Sequence, residues 1–423
     1  MKFYTVEEVK NGAIDDVLLE LYGAEEIKAQ TGRYVSLLKN ASDKFGIDKA
    51  ALFSSPGRSE LCGNHTDHNR GRVIAAGIQL DKISAVMPRS DSIVEIVTEG
   101  FSHNIQTDLQ YLKPDSDESG KADALVKGVA AYFREHGFQI GGFSAYIESL
   151  VAMGSGLSSS AAFEVLIGMI FNTLYNQDEI SAVELAKAGK YAENTYFHKP
   201  CGLMDQLACA VGGIAIIDFE DEESPEIECL DFNFHEHDYQ LMILDTGGNH
   251  ANLTGEYASI PREMGCIARE LGGNVLRDSS LDQLMRRSSH LRRTCGDRAF
   301  LRALHFFLEN ERVSLVREAI RYNDMTGYLR LIDESGRSSQ MFLQNCVPTG
   351  AVENQAVNFA LGLLKTICPK GVFRIHGGGF AGTIQGYIPA DSFDTMQIQM
   401  EEHFGRGSAT PLSIRSFGVI HIG

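Results

Sequence analysis

The sequence predicts an α+β protein of two domains. The chain has 423 residues, more than one compact core usually spans. Its strand-like and helix-like stretches are mixed rather than regularly alternating, which disfavours a doubly wound parallel sheet. Two glycine clusters, at residues 154–156 and 377–379, follow strand-like runs. There the backbone must turn sharply or let something approach closely.

Residues 1–50 space their apolar side chains by three and four, as in IDDVLLELYG and IKAQTGRYVSLLKNASDKFG, and read as amphipathic helices. The β-rich runs RVIAAGI and ISAVMP follow a polar, glycine-containing stretch, so residues 56–71 are expected on a loop. SIVEIVTEG and FSHNIQTD resemble the arms of a hairpin. The polar segment 112–123 is the most loop-like part of the chain, with a helix after it at ALVKGVAAYFREHG. FSAYIESLV reads as a strand, AAFEVLIGMIFNTLYN as a strongly apolar helix and GGIAIIDFED as a further strand. The expected boundary lies near residue 218. It gives an N-terminal domain 1–218 with a helical extension over 1–50, and a C-terminal domain 219–423 that opens with long helices and ends in strand and glycine-turn material.

Composition narrows the function classes. Hydrophobic residues at 43% and charged residues at 22% are the balance of a globular protein with enough apolar material for two cores. No apolar run approaches the roughly 20 residues needed to span a bilayer, and MKFYTVEEVKNG lacks a signal-peptide core, so a cytoplasmic protein without membrane contacts is expected. A formal charge of −18 argues against a nucleic-acid surface. The densest basic stretch, residues 286–298, reads as a solvated helix face or loop. The eight cysteines are scattered without CxxC pairs and are expected to be thiols rather than a disulfide framework or zinc site.

An acidic protein can still bind a polyanion where local donors are provided. VAMGSGLSSSAA joins a strand to a helix. Gly154 and Gly156 free the backbone, and Ser158, Ser159 and Ser160 fall at the helix start, where unpaired N–H groups and the positive dipole end attract anions. A serine hydroxyl there also suits magnesium. A flexible turn before a well-capped helix fits equally well. The stretch is not a Walker A loop, because no lysine precedes its serines. HGGGFAG, residues 376–382, sits between two strands and carries the same ambiguity between a ligand-facing turn and an unusual hairpin.

Three segments in order resemble the motifs of the galactokinase branch of the GHMP small-molecule kinases: PGRSELCGNHTDHNRG at 56–71, GSGLSSSAA at 154–162, and HGGGFAG. AENTYFHKPCGLMDQ, GEYASIPREMGCIAREL and LENERVSLVREAI extend the likeness over most of the chain beyond about residue 50. The resemblance implies two α+β domains with the active site in the cleft between them, and ATP, Mg2+ and a small sugar as ligands. It implies no oligomeric state. Phosphoryl transfer needs in-line positioning and charge neutralisation more than covalent chemistry. Asp205 matches the family's catalytic aspartate and Arg58 its arginine. Gly154, Ser155, Gly156, Leu157, Ser158, Ser159 and Ser160 match the ATP loop, and Ser160 with Glu193 the magnesium ligands. Asn64, His65, Asp67, Gly202 and Tyr257 match sugar-contacting positions.

The first motif departs from the family pattern P-G-R-V-N-L-I-G-E-H-T-D-Y. Glu60 stands for its asparagine, Asn64 for its glutamate and His68 for its tyrosine. The family glutamate contacts the C6 hydroxymethyl of galactose, so Asn64 is expected to relax or change selection there. Galactose is the expected substrate, with a C6-altered sugar such as galacturonate or arabinose as the alternative. Non-catalytic sensor relatives lack the Ser-Ala pair that is retained here as Ser160-Ala161, and NHTD with CGLMDQ speaks against mevalonate, homoserine or inositol kinases.

Overall fold

The computed structural model describes residues 1–100, 104–152, 156–248 and 253–423. Two sheets carry the architecture. The first contains β1 (Ala51–Cys62), β2 (Arg72–Pro88), β3 (Ile93–Thr98), β4 (Ile105–Asp108), β5 (Phe143–Ser149), β6 (Ile214–Asp218), β7 (Glu226–Leu230) and, from the far end of the chain, β12 (Ile420–Ile422). Its order is β12-β1-β2-β5-β3-β4. The long β2 pairs with β5 along its second half and with β6 along its first, and β7 adds to β6. All pairings are antiparallel except β3 with β5. The second sheet runs β11-β8-β10-β9, from β8 (Tyr239–Asp245), β9 (Val372–Ile375), β10 (Thr383–Pro389) and β11 (Ala409–Leu412). The position expected for the domain boundary falls between β6 and β7, two strands of the same sheet.

Helices α4 (Ala122–Glu135), α5 (Ser159–Tyr175), α6 (Ala182–Tyr191) and α7 (Met204–Val211) cover one face of the first sheet. Helix α5 is apolar nearly all round and accordingly buried all round, from Ala161 to Phe171 apart from Met169. On the other face lie the N-terminal helices α1 (Val6–Lys10), α2 (Asp15–Tyr22) and α3 (Ile27–Phe45). In α3, Tyr34, Leu37, Leu38 and Ala41 form the predicted stripe and close over Leu52, Ile83 and Ala85. Each such buried large side chain stabilises by about 1.5–3 kcal/mol. The segment 1–50 is thus a second cover for the sheet.

In the second half, α11 (Asp297–Arg321) and α12 (Met325–Ser338) pack against strands of both sheets, α8 (Thr254–Leu271), α9 (Leu281–Arg286) and α10 (Ser288–Cys295) pack on α11, and α13 (Ala356–Ile367) and α14 (Phe393–Phe404) lie against the second sheet. A shared core of Leu61, Ile74, Ile78, Val313, Tyr328 and Tyr387 joins the two sheets.

Two expectations need correction. Residues 56–62 are strand, not loop: Pro56-Gly57-Arg58 lies within β1, and register shifts beside Pro56 and Glu60 absorb the proline and the bend. Only 63–71 remain as the connection. Nor are all eight cysteines thiols. Cys266 of α8 and Cys295 of α10 are bonded, their Cα atoms 6.0 Å apart because both helices pack on one core. The other six are free. Among the described residues no helix is long and apolar enough to cross a membrane.

Candidate active site

Strand β1 delivers Arg58, and the first turn of α7 delivers Asp205. Their side chains meet in a two-pronged ion pair: Nε donates to Oδ1 at 2.8 Å and Nη2 to Oδ2 at 3.0 Å. Such a fork fixes orientation as well as charge. The guanidinium is buried, whereas a third of the Asp205 side chain is exposed, so the carboxylate is the half that faces solvent. Burial opposes ionisation of Asp205, but the Arg58 charge and its hydrogen bonds, with that from Ser158, outweigh it and hold the carboxyl below its ordinary range.

Arg58 also fixes the serine loop. Its Nη1 donates to the Gly156 carbonyl at 2.5 Å and its backbone N–H to that of Leu157 at 3.1 Å. Ser158 is left-handed (φ 56°), and its hydroxyl donates to Asp205 Oδ2 at 2.5 Å instead of capping the helix. That differs from the capping role expected for it. The first N–H groups of α5 therefore have no side-chain cap, the condition for receiving an anion. Gly154 and Ser155 lie outside the described residues. Ser159 opens α5, and the Ser160 hydroxyl donates to Glu193 Oε1 at 3.2 Å.

Glu193 sits in a π-helical turn, Ala192–Tyr196, that continues α6. Such insertions are frequent at functional sites. Its Oε1 also receives the Lys199 ammonium at 2.6 Å, and its Oε2 receives Gln206 Nε2 at 3.0 Å. The same amide nitrogen bonds Glu164, a buried carboxyl whose proton affinity is raised by burial and by the neighbouring Glu193 charge. A hydroxyl and a carboxylate in contact, already drawing a cation, form a hard-oxygen donor pair of the kind magnesium takes. Among the described residues, no group of three or more His, Cys, Asp or Glu is placed to hold a metal by protein ligands alone.

Two of the sugar-motif residues, His65 and Tyr257, lie on the third motif. His65, left-handed at φ 57°, donates from Nε2 to the Gly378 carbonyl at 2.9 Å, and burial pushes its imidazole down to about 4, so it is neutral at pH 7. Tyr257 donates to the Gly379 carbonyl at 3.1 Å, and its ring lies where a Gly378 side chain would stand. Asp67 rests against Gly202: a Cβ there would be 2.0 Å from Asp67 Oδ2. These two residues share a cavity of about 140 Å³ with His68, Lys190, Cys201 and Glu222. We expect Gly202→Ala to displace the Asp67 carboxylate and raise the acceptor KM by roughly 10–100-fold with a folded enzyme, since shifts of this size carry such penalties. Initial rates over acceptor concentration would test this, and an unchanged KM would remove Asp67 from the acceptor site.

Asn64 also meets the third motif, but from inside the protein. It is fully buried, its Nδ2 donating to the Glu60 carboxylate and to the Gly377 carbonyl at 2.7 Å, its Oδ1 accepting from Asn345 at 2.8 Å. Glu60 in turn pairs with Arg374 of β9 at 2.7 Å, both buried. Carboxylate and amide have traded places relative to the motif, and the carboxylate is turned inward. The sequence reading did not single out Lys199, Gln206 or Glu164. A lone basic residue between two site carboxylates in AENTYFHKPCGLMDQ was the available signal for Lys199.

Residues 124–213 match the family profile of the GHMP kinases N terminal domain, and residues 42–88 that of the galactokinase galactose-binding signature. The chain is 30% identical to a galactokinase of Glaesserella parasuis serovar 5, over 85% of this chain and 91% of that one. It is 30% identical to a galactokinase of Homo sapiens over 87% and 91%. The crystal structure of Lactococcus lactis galactokinase complexed with galactose superposes with a TM-score of 0.77 at 22% identity, covering 92% of this chain and 99% of that one. For Methanococcus jannaschii mevalonate kinase the score is 0.60 at 12% identity, over 86% and 98%. The structural likenesses bear on fold alone. The family profile and the sequence relatives define a phosphotransferase of the GHMP kinase class, a class that uses ATP. Within that class the chain belongs to the galactokinase family.

Proposed function

We propose that the protein transfers the γ-phosphoryl group of ATP to the C1 hydroxyl of galactose, giving galactose 1-phosphate and ADP. The observation that carries this reading is the Arg58–Asp205 fork, with its partly exposed carboxylate beside the uncapped start of α5. The sugar oxygen bonds to the γ-phosphorus, the bond from that phosphorus to the β–γ bridging oxygen breaks, and the hydroxyl proton passes to Asp205. A carboxylate held below its ordinary range is a weak base. Asp205 therefore orients the hydroxyl and takes the proton late, which a loose transition state permits. Arg58 keeps Asp205 ionised and the serine loop in place. His65, Asp67, Gly202 and Tyr257 form the sugar side. Ser160 and Glu193 would hold Mg2+, which when bound supplies charge neutralisation for the phosphates.

A second reading concerns C6. Because Asn64 spends its hydrogen bonds internally and Glu60 is tied to Arg374, neither offers the sugar a carboxylate at that end. Arabinose, which has no C6, and galacturonate, which carries a carboxylate there, would then be accepted. Coupled ADP release with galactose, N-acetylgalactosamine, galactosamine, galacturonate and arabinose tests both readings. Galactose is expected to give the highest kcat/KM. A higher value for arabinose or galacturonate would favour the second reading, and absence of turnover with all five would overturn the proposal. The paired exchange Glu60→Asn with Asn64→Glu should sharpen discrimination against C6-altered sugars if position 64 governs it.

A further inference from the structure

Glu193 is shared between the Ser160 hydroxyl and a lysine to which no role has yet been given. Lys199 Nζ stands 2.6 Å from Glu193 Oε1, the same oxygen that Ser160 uses. The partners differ sharply in setting: the lysine side chain is 60% exposed and the glutamate 3%. The backbone is arranged to make this contact. His198 adopts a left-handed conformation (φ 62°), and the Lys199 N–H donates to the Glu193 carbonyl at 3.0 Å, so the chain doubles back over the carboxylate. An ordinary surface ion pair requires none of these features.

We propose that Lys199 is a phosphate-binding residue that exchanges partners: it neutralises Glu193 in the nucleotide-free protein and moves to oxygens of the transferred phosphoryl group when metal-bound ATP enters. This rests on the kinase reading above. Two cations cannot share one carboxylate oxygen without strong repulsion, so a metal at Ser160 and Glu193 must displace the ammonium. Lysine is a compact point charge on a flexible four-carbon stem, suited to move a few ångströms and to meet phosphate from any direction. The serine loop has no lysine of its own, and Arg58 is engaged by Asp205 and Gly156. Lys199 supplies the mobile positive charge that these groups do not. It forms no covalent bond; its N–H groups donate to phosphate oxygens.

The test compares wild type with Lys199→Met, which keeps the apolar stem, and Lys199→Arg. For Lys199→Met we expect kcat to fall by about 10²-fold, the usual effect of losing one donor to a developing oxyanion, with the sugar KM little changed. Calorimetric binding of Mg–AMP-PNP should weaken by about tenfold. Binding of Mn2+ alone, followed by electron paramagnetic resonance, should instead tighten, because the competing ammonium is gone. Lys199→Arg should restore part of the kcat. The proposal is overturned if Lys199→Met keeps kcat and Mg–AMP-PNP affinity within twofold, which would leave Lys199 as a counter-ion only, or if Mn2+ affinity does not rise. Failure of the kinase reading would look different: wild type would turn over no sugar, while the binding measurements would still report on Lys199.

Discussion

Asp205→Asn is expected to fold and to lose between about 10² and 10⁴ of kcat, the range set by removal of a positioned proton acceptor. The substitution preserves shape and leaves one acceptor oxygen. It removes the negative charge and sets an NH2 donor against one N–H of the Arg58 fork. Loss of a buried partner from an ion pair can cost about 3–5 kcal/mol, but a third of the Asp205 side chain is exposed, so solvent recovers part of it and the melting temperature should fall modestly. Coupled ADP release alongside thermal unfolding separates the two effects. Turnover near wild type in a folded variant would exclude Asp205 as the acceptor. The pH profile adds a check. Arg58 holds the carboxyl below its ordinary range, so the acid limb of kcat/KM should lie below about pH 4 and be absent near neutrality.

The largest stability loss is expected at Asp81→Asn. This carboxylate is fully buried in β2 and collects distant parts of the chain. Arg33 of α3 donates to Oδ1 at 2.6 Å, while Tyr22 of α2, Ser54 of β1 and Arg415 share Oδ2. Burial alone would raise its proton affinity, yet the two guanidinium groups and the hydroxyls lower it. The amide removes the carboxylate that Arg33 and Arg415 share, leaving Arg33 with Glu148 alone. A loss of about 3–5 kcal/mol follows, a large part of the 5–15 kcal/mol typical of a folded chain. The sign with pH is fixed by the lowered value. The stabilisation is complete above the unfolded carboxyl range near 4 and disappears as pH falls through the folded value. Urea unfolding at pH 7 should show the destabilisation, and the variant should lack the wild type's acid-dependent weakening of the N-terminal helices. A change under 1 kcal/mol would mean that Asp81 does not fasten them.

What was legible in the sequence followed from local chemistry. The stripe of α3, the uniformly apolar α5 and the β3–β4 hairpin are written in spacing, and the residues that meet around Arg58, Asp205 and Glu193 lie in short motifs. What was not legible depends on partners far away in the chain. Pro56-Gly57 signals a turn, and only pairing with β2, with its register shifts, makes it strand. Asn64 looks like a sugar contact until Glu60, Gly377 and Asn345 are seen to occupy it. The Cys266–Cys295 bond spans 29 positions without any spacing signature. Ser158 occupies the expected capping position, but its hydroxyl is drawn to Asp205, whose approach no local window reveals.

Strand β12 has a consequence for biogenesis. Leu52, Phe53 and Ser54 pair with Ile422, His421 and Ile420, so one margin of β1 waits for residues that leave the ribosome hundreds of positions later. Until then the nascent half exposes unsatisfied peptide groups to neighbouring polypeptides, a recognised route to aggregation. Arg415 arrives in the same late stretch to complete the cluster at Asp81. Consolidation of the first sheet therefore waits until β12 has been made, and holding chaperones should matter most in the interval before that strand pairs.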